Sequence, residues 1–241
     1  MYKLFADYHT HTVWSHGKGS VQDNVNAAMA AGLETLGISD HAPGHLFYGV
    51  RDMQGYMDAI HTQQQICAGK LRLLAGIELN LTGMHGQYDL PAQYRDQFDF
   101  VIMGFHKGAR PADFTSFFEY YIARSISGSS KRLKVKATDA YIAALMKKEI
   151  TILSHPGYGI NIDKVEVAKA CLEAGTLFEI NTSHTGLEAA EIVDIAKTGV
   201  KFLVSSDAHV PDRIAQVDVA LQKAIAAGLS EKEIINIRRK D

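Results

Sequence analysis

Two spacings of apolar residues alternate along the chain. Short apolar or β-branched runs near residues 4–9, 33–39, 71–79, 98–105, 150–154, 176–182 and 200–206 read as strands. Between most of them, apolar positions recur three and four residues apart over Val21–Ala31, Gln54–Ala68, Ala137–Lys148, Val165–Ala174 and Leu187–Lys197, which predicts helices with one buried face. Thr185 with Glu188, Asp163 with Glu166 and Ser230 with Glu233 have the spacing of a capping box. Strand and helix in alternation predict a parallel sheet clothed by helices, because parallel strands need crossover connections.

The polar residues that interrupt this pattern are concentrated at the strand ends. Seven of the 11 histidines, with one glutamate and one aspartate, sit there or just beyond: Asp7-Tyr-His9-Thr-His11 with His16 close behind, Ser-Asp-His41, Gly-Ile-Glu78, Gly-Phe-His106, Ser-His155-Pro and Ser-Asp207-Ala-His209. An open sheet would spread these groups by roughly 5 Å per intervening strand. A closed barrel gathers them at the C-terminal ends of its strands, where that architecture carries its chemistry. The expected fold is therefore α/β, one distorted TIM-like barrel over residues 1–241 with a metal site at those ends.

Composition adds little but excludes much. The 241 residues are 46% hydrophobic and 22% charged, enough to bury a core without disulfides, and Cys67 and Cys171 read as small buried residues of two helices. A net charge of −2 gives no basic field for long nucleic acid. No apolar run approaches the roughly 20 residues of a membrane span, and no leader pattern opens the chain. A cytoplasmic protein with no membrane partner is expected, with a homo-oligomer left open.

His9 and His11, two apart on a strand, share a face and can tilt onto one ion. Asp207 and His209 repeat that spacing. The motifs quoted above, with His16-Gly-Lys-Gly, resemble those of the polymerase and histidinol phosphatase (PHP) family over residues 7–209. The resemblance implies a (β/α)7 barrel with three divalent ions (zinc, manganese or iron). One would be held by His9, His11, Glu78 and Asp207, a second by Glu78, His106 and His155, and a third by His16, His41 and His209. Glu78, Asp207 and His209 are then the candidate catalytic residues, and Asp7 and Asp40 candidate carboxylates orienting the imidazoles. Two dications about 4 Å apart repel by roughly 17 kcal/mol at an effective dielectric near 20, so a bridging anion such as Glu78 is required.

Such a field suits a phosphate ester and would lower the pKa of a bound water. The expected activity is hydrolysis of a small phosphorylated metabolite, histidinol phosphatase-like, by a hydroxide bridging two ions. Lys107, Lys18, Arg51, Arg213 and His184 are candidate substrate contacts, Lys18 together with the helix start near Ser20. Arg110 is a further basic candidate, and His45, His61 and His85 fit no ligand slot. Pro156-Gly-Tyr after His155 departs from the arginine-containing continuation of true histidinol phosphatases. Two alternatives stay open. A phosphodiesterase or small nuclease could use the basic stretch Arg124–Lys136, flanking Gly128-Ser-Ser, to track a backbone. A non-catalytic metal-binding module would keep the ligands without turnover.

Overall fold

The computed structural model describes residues 2–123, 130–184 and 186–240. Seven strands run parallel in the order β2 (Ala6–Asp7), β3 (Thr35–Ile38), β4 (Arg72–Asn80), β5 (Phe100–Gly104), β6 (Ile152–Leu153), β7 (Leu177–Asn181) and β8 (Phe202–Ser205). Sequence order and spatial order coincide, as a barrel of successive strand–helix units requires. The helices clothing it include α1 (Val21–Ala30), α2 (Met53–Cys67), α3 (Phe114–Phe117), α4 (Lys131–Leu145), α5 (Lys164–Ala174), α6 (Ala189–Ala196) and α7 (Asp218–Ala226).

Along each strand alternate residues face inward, and that inner row changes character as it climbs. Near the N-terminal ends it is apolar: Leu74, Phe100, Ile152, Leu177 and Leu203 belong to one small cluster separate from the main core beneath the helices. Two to four residues further along it becomes Glu78, Ser154, Glu179 and Asp207, all buried. Phe100 fills the axis because Gly76 and Gly37 leave it room. A Cβ at either position would come within 2.3 or 2.6 Å of its ring.

The ring closes with help from the end of the described chain. Above β2 and β8 the loops meet directly, His11 N–H donating to Ala208 O at 2.8 Å and Ala208 N–H to His9 O at 3.3 Å. Below, Asn236 spans the gap: its Nδ2 donates to Ala6 O at 2.8 Å and Val204 O at 2.6 Å, while its Oδ1 accepts from Val204 N–H at 3.0 Å. β9 (Ile237–Arg239) then pairs antiparallel with β1 (Tyr2–Leu4). The first predicted strand is thus two pieces, the outer one serving this clasp.

Three local expectations are corrected. Ser230 donates from both N–H and Oγ to Glu233 Oε2, but the pair closes a turn rather than starting a helix. The cap before α6 is Glu188 with Glu191, and Thr185 lies outside the described residues. The helix predicted from Ala137 starts earlier: Lys131, Arg132, Lys134 and Lys136 form the first turns of α4 behind the Ser130 cap, while Arg124 and Gly128 lie outside the described residues. No described helix is long and apolar enough to cross a membrane.

Candidate metal centre

The nine donors expected from sequence meet at the C-terminal mouth of the barrel, eight of them lining one cavity of about 390 Å³ with His9 fully buried at its floor. Glu78, projecting inward from β4, stands at the centre and divides its carboxylate. Its Oε2 lies 3.3 Å from His9 Nε2, 3.5 Å from His11 Nε2 and 3.0 Å from His41 Nδ1. Its Oε1 lies 3.3 Å from His106 Nε2 and 3.0 Å from His155 Nε2, and accepts from Ser154 Oγ at 2.9 Å. Asp207 Oδ1 completes the floor, 3.4 Å from His9 Nε2 and 3.2 Å from His11 Nε2. Above it, the His16 ring sits 4.1 Å from that of His209 and 4.9 Å from that of His41.

These spacings fit cations. Donors about 2.0–2.1 Å from an ion at tetrahedral corners stand about 3.4 Å from one another. His9 Nε2, His11 Nε2, Glu78 Oε2 and Asp207 Oδ1 are buried and make no hydrogen bond, although they face each other. Leaving several polar atoms dry and unpartnered is costly, and a shared divalent ion removes the cost. Among the described residues three groups have donor atoms mutually within 4.8 Å: His9, His11 and Asp207; His41, Glu78 and His106; and His11, His16, His41 and His209. His11 and His41 therefore each stand between two groups. Two of the donors, His155 (φ 31°) and Asp207 (φ 52°), hold a left-handed backbone that non-glycine residues rarely adopt.

A residue unmarked in the sequence supports the floor. Glu179 on β7 is fully buried and accepts from His9 Nδ1 at 2.7 Å, Ser205 Oγ at 2.5 Å, His155 N–H at 2.6 Å and Asn181 Nδ2 at 2.9 Å. Holding the proton on Nδ1 turns the His9 Nε2 lone pair towards Glu78 and Asp207. At the rim the Asp207 carbonyl does the same for His209, accepting from Nδ1 at 3.0 Å. Asp7 and Asp40, expected to orient imidazoles, hold loops instead. Asp7 accepts from the backbone of Ser206 and Ala215. Asp40 accepts from Thr12 N–H and Oγ1 and from Ser15 Oγ. A glutamate in the middle of an apolar strand was the available signal, since a buried charge in a strand demands a partner.

Charge separates the imidazoles. Burial alone would push the His9 pKa down, but Asp207, Glu78 and Glu179 together hold it well above the ordinary value. Burial likewise opposes ionisation of Glu78 and Asp207, yet the surrounding histidines, His9 foremost, hold both carboxyls well below their usual range. At the rim burial wins: His16 falls to about 3, helped by His209 and His11, and His41 falls well below the ordinary value. Neutral imidazoles are the form in which histidine binds a metal.

The candidate substrate contacts divide. Lys107 and His184 line the cavity, His184 Nε2 lying 3.5 Å from Asp207 Oδ2. Lys18, Arg51, Arg110 and Arg213 do not line it. Exposed Lys18 sits before α1, whose first N–H groups are capped by Ser20 and Asp23. Arg213 is exposed on a 3-10 turn. Arg51 donates to three carbonyls of the loop beside the cavity, Pro43, His45 and Leu46. His45, which fits no ligand slot by its spacing, is buried and lines the cavity, 5.1 Å from the His41 ring. His61 and His85 are exposed.

Comparison with known proteins agrees with this geometry. The family model of the PHP domain matches residues 7–189. A probable phosphatase of Thermoanaerobacter sp. (strain X514) is 29% identical over 97% of this chain and 91% of its own length. One of Aliivibrio fischeri (strain ATCC 700601 / ES114) is 28% identical over 96% of this chain and 89% of its own. Among solved structures, histidinol phosphate phosphatase from Lactococcus lactis, complexed with zinc, L-histidinol and phosphate, superimposes with a TM-score of 0.63 at 17% identity. That match covers 93% of this chain and 94% of the other, and establishes a shared fold.

Proposed function

The chain belongs to the PHP domain family, and from that premise we propose that it is a metal-dependent phosphoesterase that hydrolyses a small phosphomonoester with three divalent ions. One observation carries the reading: a single carboxylate, Glu78, turns one oxygen to His9, His11 and His41 and the other to His106 and His155. That is the posture of a bridge between two cations. His9, His11, Glu78 and Asp207 would hold the deep ion, Glu78, His106 and His155 its neighbour, and His16, His41 and His209 the outer one. Zinc, manganese or iron there would supply a nucleophile from water at neutral pH and offset charge on the phosphoryl oxygens.

The protein's own groups do the rest. Glu179 keeps the proton on His9 Nδ1. Lys107 at the mouth offers a point charge to a phosphate oxygen. His184 stands beside Asp207 within reach of a bound phosphate. A small substrate is favoured over an oligonucleotide because three of the four cations in the first turns of α4 are engaged at home. Arg132 and Lys136 pair with Glu119, and Lys134 with Asp163.

Turnover of p-nitrophenyl phosphate and bis-p-nitrophenyl phosphate by protein loaded with Mn²⁺ or Zn²⁺ tests this directly. Monoester hydrolysis is expected. Diester hydrolysis alone would move the activity to a phosphodiesterase, and neither would leave a metal-binding module.

A further inference from the structure

The cavity changes character towards its mouth, from ion-binding groups to ring faces. The loop after β3 lays Tyr48 over His16, with centroids 4.5 Å apart and planes 25° apart, and over His45 at 5.0 Å. Phe47 stands beside it, 75% exposed. Arg51 fixes this loop through its three carbonyl bonds, so the rings are presented on a preformed support. The loop after β6 lays Tyr158 on His184, 3.9 Å apart and 18° from parallel. In a ring of seven strands, β3 and β6 stand three places apart. Phe47 and Tyr48 therefore line one side of the mouth and Tyr158 another.

Fixed charge is scarce there. Among the described residues lining the cavity, Lys107 is the one cationic side chain besides the imidazoles, and the two acids, Glu78 and Asp207, are buried among the histidines. A second phosphate or a carboxylate on the leaving group would find little to neutralise it, and an ammonium would find no carboxylate. Exposed aromatic surface framing a cavity is the chemistry that stacks an uncharged planar ring.

We infer that the mouth is a leaving-group slot for an uncharged aromatic ring, held between Tyr48 with Phe47 on one side and Tyr158 on the other. This rests on the phosphoesterase reading and narrows it: the substrate is the phosphomonoester of a ring-bearing alcohol. Phosphate reaches the ions, and the ring stays between the tyrosines.

The test compares 2-phenylethyl phosphate with n-propyl phosphate. Both are esters of primary alcohols, so the bond broken is the same and the ring is the variable. With manganese-loaded enzyme, kcat/KM favours the aryl ester by at least about tenfold, and Tyr48→Ala and Tyr158→Ala each bring the ratio towards one through KM, in line with the contribution of a stacked ring. A ratio near one in the unaltered enzyme, or one that neither variant moves, overturns the slot. L-histidinol phosphate, which carries an ammonium, is expected to fall below the phenylethyl ester, and the reverse order overturns the uncharged ring. Calorimetry with the non-hydrolysable 2-phenylethylphosphonate and n-propylphosphonate, on preparations of equal metal content, separates the two readings. If neither ester turns over, the phosphoesterase reading falls. Tighter binding of the aryl phosphonate, lost in the variants, would still support the slot, and equal binding would overturn it.

Discussion

The floor and the rim of the histidine cluster use the same side chain under opposite electrostatics. At the floor His9 and His155 are packed against Glu78, Glu179 and Asp207, and although burial works against protonation, these carboxylates raise both pKa values. At the rim His16 and His209 are packed mainly against other imidazoles, with His41 between them and Glu78; burial lowers all three first and neighbouring histidines add to it, against the pull of Glu78 on His41. Where anions surround an imidazole, the pocket already carries the charge that a dication needs. Where imidazoles surround one another, a cation must be held by neutral donors alone. The floor should bind its ions tightly, and the rim should exchange its ion.

The largest test of this contrast removes the group that serves both sides. Glu78→Gln keeps the shape but removes one of the three negative charges of the floor, and is expected to lower phosphomonoester turnover on the order of 10³-fold with loss of ions by elemental analysis. Full metal content with near-normal turnover would end the bridging role. Glu179→Gln touches only the floor. A lost imidazole-orienting partner costs about 10–100-fold in metal affinity or activity, and the rim ion is expected to survive while the floor ions dissociate at lower chelator concentrations. His16→Ala is the converse, removing about one ion equivalent and leaving the floor loaded. Equal loss from both regions in either variant would erase the distinction.

Proton linkage offers a smaller and metal-free measure. His16 (about 3), His45 and His184 (about 4), each lowered first by burial, stay neutral in the fold through mildly acidic pH, and burial moves His41 and His209 in the same direction. The unfolded chain protonates all five below about 6.5, so unfolding takes up protons and stability falls as pH drops from 6.5 towards 4. His9 and His155, with raised pKa values, are protonated in both states there and do not cancel the effect. Thermal melts of chelator-treated protein should show a falling Tm across that window, and a flat profile would contradict neutral rim imidazoles. Smallest of all, Lys131→Ala with Arg132→Ala on α4 should change monoester turnover by less than about twofold, since exposed pairs such as Arg132 with Glu119 contribute little. Selective loss of oligonucleotide cleavage would reopen the nuclease reading.

Much of this was legible in the sequence because the ion-binding groups follow a rule: at least one donor at or near the C-terminal end of every parallel strand but β7, on strands marked by apolar runs. His106 follows β5 and Asp207 follows β8 for that reason. The supporting carboxylate was harder to find. Glu179, like Glu78, lies two residues before the end of its strand, but its task depends on the register that sets β7 beside β8, a relation between distant segments. Asp7 and Asp40 had the right neighbours in sequence, but their side chains turn to backbone N–H and hydroxyl groups of loops. Arg51 and His45 exchanged their expected places because the loop after β3 folds over the cavity, and that depends on hydrogen bonds to its own carbonyls rather than on periodicity.

The Asn236 clasp bears on how the molecule is made. Every donor from His9 to His209 precedes the segment that bridges Ala6 and Val204. A growing polypeptide can therefore have all its imidazoles outside the ribosome while the first and last parallel strands still lack that bridge. The bridge beneath the first and last parallel strands thus comes from residues made after every ion-binding group.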